Sequence, residues 1–307
     1  MGVAQSKASL KTLSARPETN VKPAEAECYR SATNTRRGWG HLTELTHGDF
    51  CLFYAATNML LQTFQPWPYP RWIAHRGAGK LAPENTLAAF RLGASFGYRM
   101  FECDAKLSAD GVVFLMHDAT LERTTNGQGI GGDLPWHALS HLDAGSWHSR
   151  TFAGEALPTL EALARFCLTN DHLLNIEIKP TPGTEDATGE AVARLAARLW
   201  AGAAVAPVLT SFKSDALAAA KAAAPELPRG LLVDTLWSGW FEKAQELECV
   251  AVVANYALWD AATVAQVHNA GMRCLSYTVN DDWAAQHLLA LSTDGIITDR
   301  VDLFSPG

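Results

Sequence analysis

Residue types suited to catalysis are concentrated between positions 72 and 118 of the chain. Glu102 and Asp104 stand two positions apart in a stretch that otherwise reads as β-strand. Because strand side chains alternate between faces, both carboxylates lie on one side, roughly 7 Å apart at the backbone, and Cys103 points the other way. Two close carboxylates repel unless a cation lies between them, and Mg²⁺ and Ca²⁺ prefer oxygen ligands. The spacing alone is equally consistent with a metal site and with two solvated acids on an edge strand.

Two histidines end apolar runs in the same region. The first run stops abruptly at His75, which is typical of a buried strand whose end opens into an active site. Asp110-Gly111 is a turn dipeptide, and the apolar run that follows it ends at His117. These signals predict a β-hairpin that carries the second histidine back towards the acidic strand.

The register of this hairpin determines which groups meet. In a hairpin about Asp110-Gly111, residues whose numbers sum to 220 or 221 lie opposite one another. Asp104 then lies opposite Met116 or His117, and Glu102 lies opposite Asp118. A single histidine is more often structural, but two histidines and two acids at strand ends indicate a reaction centre.

Several short motifs, in order, make the chain resemble the glycerophosphodiester phosphodiesterase family. Each motif is weak alone, and the resemblance covers about residues 67–306. The cytoplasmic bacterial members are the most similar. The matching motifs are His75-Arg76-Gly77, Pro83-Glu84-Asn85-Thr86, Glu102-Cys103-Asp104, His117-Asp118, Leu142-Asp143-Ala144-Gly145-Ser146-Trp147, Pro158-Thr159-Leu160, Glu177-Ile178-Lys179 and Gly295-Ile296-Ile297-Thr298-Asp299.

The resemblance implies the ligands of a metal site and a catalytic pair. Glu102, Asp104 and Glu177 match the family's ligands for one divalent cation, Mg²⁺ or Ca²⁺, and oxygen ligands suit either ion. His75 and His117 match its catalytic histidines. Hydrolysis of a phosphodiester needs a base and an acid, and two imidazoles in opposite protonation states supply both near neutral pH.

Arg76 and Lys179 are predicted to neutralise the substrate phosphate. Lys179 shares a strand face with Glu177, so a purely structural salt bridge between them is the alternative. Glu84 and Asp118 are candidates to orient a histidine from behind. Helix-capping and turn roles suit these two acids equally well.

Phe212 and Tyr277 end two later strands and are predicted to line the pocket for the substrate's glycerol. Many family members have tryptophan where Tyr277 stands, so the difference bears on fine specificity rather than on catalysis. Further histidines in residues 119–157 are interpreted as surface or lid residues. They are His137, His141 and His148.

Alternation of strand and helix patterns predicts the fold. Apolar strand-like runs begin at residues 72, 100, 173, 207, 230, 249, 272 and 295, and helical patterns separate them. Eight such units predict an α/β fold, a (β/α)8 TIM barrel, in agreement with the resemblance. In these barrels functional groups lie at the C-terminal ends of the strands. Residues 119–157 are too long for a plain connection and are predicted to form a small insertion near the active-site mouth.

The segment before the barrel has a different composition. Residues 1–66 hold seven of the 25 Lys/Arg and five of the 32 Asp/Glu, and their lack of periodicity is typical of disordered segments. We expect a barrel at 67–307 and a dispensable extension over about residues 1–58. A helix of residues 50–61 that packs on the barrel is the alternative.

Composition restricts the partners. The net charge of −7 is carried by the barrel region, which argues against nucleic acid and favours a small phosphodiester substrate. No apolar run reaches the roughly 18 residues of a membrane span. The cysteines have no CxxC spacing and are interpreted as reduced thiols, consistent with a cytoplasmic location. They are Cys28, Cys51, Cys103, Cys167, Cys249 and Cys274.

The function predicted from these features is metal-dependent hydrolysis of glycerophosphodiesters to sn-glycerol 3-phosphate and an alcohol. The nearest alternative is a lysophospholipase D or a sphingomyelinase-like phosphodiesterase. Such an enzyme would need an exposed apolar rim or a basic interfacial helix, and the sequence shows neither clearly. A non-catalytic binding protein on a barrel scaffold is the third candidate, although a binder has no need of an acid–base pair.

Overall fold

A computed structural model describes residues 67–306, in which eight parallel strands close into a barrel. Parallel pairing runs continuously around the barrel and closes where Ala74 of the first strand meets Phe101 of the second. The predicted fold is therefore confirmed, and the barrel strands begin within two residues of their predicted positions. The barrel strands are β1 (Trp72–Ala74), β2 (Met100–Leu107), β4 (Leu173–Ile178), β5 (Val208–Ser211), β6 (Arg229–Val233), β7 (Ala251–Asn255), β8 (Arg273–Tyr277) and β9 (Gly295–Thr298).

Helices follow most of the strands, as predicted. Two of them begin at threonines whose hydroxyls accept a hydrogen bond from the first turn: Thr86 from the Ala89 N–H and Thr159 from the Ala162 N–H. The helices are α1 (Leu87–Ser95), the one-turn α2 (Trp136–Leu139), α3 (Leu160–Thr169), α4 (Glu185–Leu199), α5 (Ser214–Ala223), α6 (Trp240–Glu246), α7 (Ala261–Asn269) and α8 (Asp282–Ala290).

The alternation of β2 separates the core from the site. Phe101 and Cys103 point outward and pack with helix residues such as Phe90. Glu102 and Asp104 lie on the opposite face, inside the barrel, and are almost completely buried. The functional groups of such barrels lie at the C-terminal end, so the side chains that contact both acids are expected at that end.

The predicted hairpin is confirmed. Strand β3 (Val113–Leu115) pairs antiparallel with the end of β2, and the opposed residues have numbers that sum to 220. The Met116 N–H then donates to the Asp104 carbonyl at 3.0 Å. The pairing of Glu102 with Asp118 was wrong. At the level of Glu102 the edges of β2 are occupied by β1 and β4, so Glu102 lies opposite Asn175 instead.

Residues 119–157 form short turns and helices around a small separate core. Leu121, Leu139 and Leu157 are buried there together with Phe114 of β3. In this region His148 donates from Nε2 to the Lys80 carbonyl at 3.0 Å. The predicted extension over residues 1–66 lies outside the described residues.

No helix among residues 67–306 is long and apolar enough to cross a membrane. Within the same residues, the cysteines are free thiols buried in the core, as the interpretation of reduced thiols expects. They are Cys103, Cys167, Cys249 and Cys274.

Candidate active site

Three buried carboxylates converge inside the barrel. The parallel register of β2 and β4 sets Asp104 directly beside Glu177, and the two-residue period of β2 adds Glu102 on the same face. One oxygen of each carboxylate lies within 4.8 Å of the others. The spacing on one strand was visible in the sequence, whereas the pairing of β2 with β4 brings in the third carboxylate.

The pKa shifts of these acids show how far their negative charges are neutralised. Burial, and then the charges of Asp104 and Glu177, raise the pKa of Glu102 well above its usual value. Burial and Asp104 raise the pKa of Glu177 to about 7. Burial also opposes ionisation of Asp104, but the charges of Arg76 and Lys179 outweigh it and hold the Asp104 pKa well below its usual range. The protein's own cations therefore neutralise only part of the cluster.

Two oxygens of the cluster confirm that it is incomplete by itself. Glu102 Oε1 and Asp104 Oδ1 are buried and have no hydrogen-bond partner. A buried acceptor without a partner is destabilising, and a hard divalent cation satisfies several such oxygens at once. The donor set, all carboxylate oxygen, fits Mg²⁺ or Ca²⁺.

Arg76, directly after His75, contacts two of the three acids. Its backbone N–H donates to Glu102 Oε2 at 3.1 Å, and its Nε is 3.2 Å from Asp104 Oδ2. Arg76 itself adopts a positive φ of 51°, and Gly77 follows at 103°. A side chain at Gly77 would meet the backbone of α1 at 2.8 Å, so the turn requires glycine there.

Lys179 lies just beyond the end of β4. Its Nζ is 2.6 Å from Glu177 Oε1 and 3.6 Å from Asp104 Oδ1. The ion pair foreseen as a structural alternative is therefore present, but its second contact with Asp104 draws Lys179 into the acidic cluster. It faces the same small volume as Arg76.

His75 is held by the last strand of the barrel. Its Nδ1 lies 2.6 Å from Asp299 Oδ1, and its Nε2 is 3.8 Å from Glu102 Oε2. Asn280 fixes Asp299 through two hydrogen bonds of 2.9 Å, one to the carboxylate and one from the backbone N–H. An imidazole bonded in this way through Nδ1 presents Nε2 to the site.

His117 is held by its own neighbour in the chain. Its Nδ1 lies 2.7 Å from Asp118 Oδ1, and Asp118 accepts hydrogen bonds from Arg123. Arg123 also donates twice to Glu84, at 2.8 Å. Glu84 binds Arg76 at 2.8 Å, so it supports a cation rather than a histidine. Burial, together with the cations of the site, lowers the pKa of His117.

The structure brings in residues that sequence reasoning missed or used otherwise. Asp299 stood in a recognised motif without a role. Asn85 stood in another recognised motif without a role in the site, and it donates to Asp104 Oδ2 at 2.8 Å and accepts from the Asp104 N–H at 3.1 Å. Arg123 and Lys106 had no motif to mark them. Alternation along β2 could have indicated Lys106, because it shares the face of Glu102 and Asp104.

A cavity of about 450 Å³ opens beside the acidic cluster. His117, Glu177, Lys179 and Phe212 contribute to its walls. Phe212 meets Tyr277 edge to face with 5.6 Å between ring centroids, so the two predicted pocket residues lie together at the rim. The Tyr277 hydroxyl donates to the Val233 carbonyl at 3.0 Å.

Comparison with known proteins shows the family of the chain. The sequence profile of the glycerophosphoryl diester phosphodiesterase family matches residues 75–303. The chain is similar to the glycerophosphodiester phosphodiesterase of Caldanaerobacter subterraneus subsp. tengcongensis, with 32% identity over 231 residues. That alignment covers 74% of this chain and 93% of the relative.

Solved structures share the fold. A phosphodiesterase from Oleispira antarctica, in complex with the product sn-glycerol-3-phosphate, is 34% identical with a TM-score of 0.70, covering 75% of this chain and 93% of that one. A glycerophosphodiester phosphodiesterase from Agrobacterium tumefaciens is 29% identical with a TM-score of 0.65. That match covers 78% of this chain and 100% of the other.

Proposed function

The chain belongs to the glycerophosphoryl diester phosphodiesterase family, and from this premise we propose how its residues act. It is an enzyme that hydrolyses glycerophosphodiesters to glycerol 3-phosphate. Glu102, Asp104 and Glu177 hold one divalent cation, Mg²⁺ or Ca²⁺, and His75 and His117 exchange protons with the substrate. The observation that carries this proposal is the buried acidic cluster, in which two oxygens accept no hydrogen bond from the described residues, flanked by two histidines that are each bonded to an aspartate.

A bound cation would neutralise charge on the non-bridging oxygens of the phosphate. The chain's own cations add to this effect. Arg76 and Lys179 both lie within 4 Å of the Asp104 carboxylate, so they border the volume that the phosphate would enter. Charged donors held in a buried site stabilise developing charge without reorganisation, which is their main contribution to catalysis.

The space around each histidine indicates which proton transfer it performs. An attacking hydroxyl, from water or from the glycerol itself, needs little room, whereas a departing head-group alcohol needs a cavity. His75 is more buried than His117, with 16% of its side chain exposed against 30%, and only His117 lines the open cavity. His75 Nε2 therefore accepts the proton of the attacking hydroxyl. His117 Nε2 donates a proton to the oxygen of the leaving alcohol as the phosphorus–oxygen bond breaks.

The test is an assay of glycerol 3-phosphate release from a panel of glycerophosphodiesters, with EDTA and after readdition of Mg²⁺ or Ca²⁺. Chelation should abolish turnover, and one of the two ions should restore it. The variant Glu102→Gln removes a ligand with little change in shape and should stay inactive at any ion concentration. Full activity in excess EDTA, or in Glu102→Gln, would contradict the proposed cation site.

One observation favours a second substrate class, the lysophospholipids. Leu236 and Trp237, after β6, are exposed at the C-terminal end of the barrel, and Trp283 at the start of α8 is 65% exposed. The adjacent Leu236 and Trp237 form a small exposed apolar surface, and contiguous apolar surfaces mark binding sites. An acyl chain carried by the glycerol could follow this rim, so lysophosphatidylcholine belongs in the same assay. Release of lysophosphatidic acid, reduced in Trp237→Ser, would support this activity; no release would exclude it.

A further inference from the structure

Lys106 is a buried cation that the reaction above does not use. It is 1% exposed, and its Nζ donates to the Lys179 carbonyl at 3.0 Å. Within residues 67–306, its Nζ forms no salt bridge with a carboxylate. A buried ammonium with a single neutral partner retains donors that a ligand can satisfy. Packing alone therefore does not explain a buried lysine at this position.

The side chain of Lys106 lies on the wall of the 450 Å³ cavity. Lys179 and the exposed Lys213 line the same cavity. The acids on its wall are already engaged, since Asp118 binds His117 and Arg123, and Glu177 belongs to the acidic cluster. Three lysines therefore contribute to the wall of the space left for a ligand.

The cavity is poorly suited to a quaternary ammonium. Such groups are bound by the faces of aromatic rings or by acids. Phe212 is the aromatic residue of this wall, and Lys179 Nζ already lies over its ring, 5.4 Å from the centroid. A trimethylammonium here would meet like charges, and one face of the Phe212 ring is already covered by Lys179.

The position of His117 indicates which part of the substrate enters. His117 lines this cavity, and the roles proposed above place the leaving alcohol at His117 rather than at the enclosed His75. We propose that the cavity is the head-group pocket, and that Lys106 and Lys213 make the enzyme prefer head groups bearing a carboxylate or hydroxyls over quaternary ammonium head groups. Phe212, predicted from the sequence to line the glycerol pocket, is thereby assigned to the head-group side. This inference rests on the proposed function and names its preferred substrates.

The experiment compares kcat/KM for glycerophosphoserine, glycerophosphoglycerol and glycerophosphocholine at pH 7 with saturating cation. We expect the wild type to favour the first two by about tenfold, or about 1.4 kcal/mol, which is the repulsion of two like charges roughly 12 Å apart near a protein surface. Lys106→Met and Lys213→Glu should each reduce this ratio to about threefold or less. Lys243→Met on α6, which removes an ammonium paired with Glu246 outside the barrel, should leave the ratio unchanged.

Several outcomes overturn the inference. A wild type that prefers glycerophosphocholine contradicts it. So does a fall in kcat/KM that is equal for all three substrates in Lys106→Met, because that result makes Lys106 a support of Lys179 only. If Lys106→Met does not fold, Lys213→Glu decides alone, and an unchanged ratio there overturns the proposal. Failure of the proposed function is distinct, since no substrate would then release glycerol 3-phosphate in a cation-dependent way.

Discussion

The two histidines of the site are built in opposite ways. His75 ends a buried barrel strand and is bonded to Asp299, 224 residues away, which Asn280 holds in turn. His117 follows a hairpin outside the barrel and is bonded to the next residue, Asp118, which the half-exposed Arg123 holds. One arrangement exists only because the barrel closes between β1 and β9. The other is local and opens onto a cavity.

This difference suits the two steps of a displacement at phosphorus. The enclosed histidine serves the small attacking group, where exact placement matters and little space is needed. The open histidine serves the departing alcohol, whose size differs among substrates. A rigid attacking side and an adaptable leaving side allow one centre to act on several head groups.

Removal of either histidine should have the largest effect. His75→Ala and His117→Ala should each lower kcat by about 10²-fold or more, the usual scale of acid–base catalysis. A substrate with a p-nitrophenolate leaving group needs no acid, so it should restore much of the rate in His117→Ala but not in His75→Ala. The measurement is kcat on both substrates, with circular dichroism to show that each variant is folded.

The opposite pattern of rescue would reverse the assignment of the two histidines. Retention of more than half of the wild-type kcat by both variants would remove them from acid–base catalysis altogether.

Of the two aspartates that orient the histidines, the one bonded to the more enclosed histidine should cause the larger loss of kcat when it is replaced. Loss of a group that orients a functional side chain reduces activity by about 10–100-fold. Asp299→Asn should lie near the upper end, because His75 has no room to find another partner. Asp118→Asn should lie near the lower end, because solvent can replace the lost acceptor. Equal losses in kcat would show that enclosure does not distinguish the two supports.

Substitution of Arg123 should lower kcat by less, although Arg123 supports both His117 and Arg76. It binds Asp118, which orients His117, and Glu84, which binds Arg76. Exposed ion pairs contribute roughly 0.2–1 kcal/mol each, so Arg123→Gln should lower kcat by about threefold to fivefold, and Arg123→Lys should recover part of the loss. Arg165→Gln, which breaks an exposed pair within α3, is the control. Loss of melting temperature without loss of kcat would make Arg123 a stability residue only.

The smallest expected effect is on the melting temperature rather than on kcat. Without a cation, the raised pKa of Glu102 and that of Glu177, about 7 against a usual 4.5, mean that the folded state binds more protons than the unfolded state. Melting temperature in EDTA should therefore rise as the pH falls from 8 to 6. The depressed pKa of Asp104 acts only at lower pH, outside this window.

Saturating Mg²⁺ or Ca²⁺ should remove this trend, because a cation binds the deprotonated carboxylates. Glu177→Gln in EDTA should flatten it as well. The lowered pKa of His117 opposes the trend in both proteins, so the comparison between them isolates the acids. A pH dependence in EDTA that is the same in Glu177→Gln as in the wild type would mean that the acids are not electrostatically strained in the folded protein.

The sequence by itself determined the elements and much of the chemistry. Strand and helix periods located the eight barrel strands, because these patterns are local and recur with each unit. The i, i+2 spacing of Glu102 and Asp104 placed both acids on one face for the same reason. The turn at Asp110-Gly111 limited the hairpin register to two alternatives, and the structure shows the one in which opposed residue numbers sum to 220.

Only the tertiary structure decided which distant groups meet. Asp299 and Asn280 reach His75 because β9 pairs with β1, and that pairing depends on closure of the whole barrel. The same closure placed β1 and β4 beside Glu102, which is why the expected contact with Asp118 does not form. Lys106 lines a cavity together with Lys179, which follows the neighbouring strand β4. Local sequence patterns report the face on which a side chain lies, whereas its partners depend on the strands that the completed fold sets alongside it.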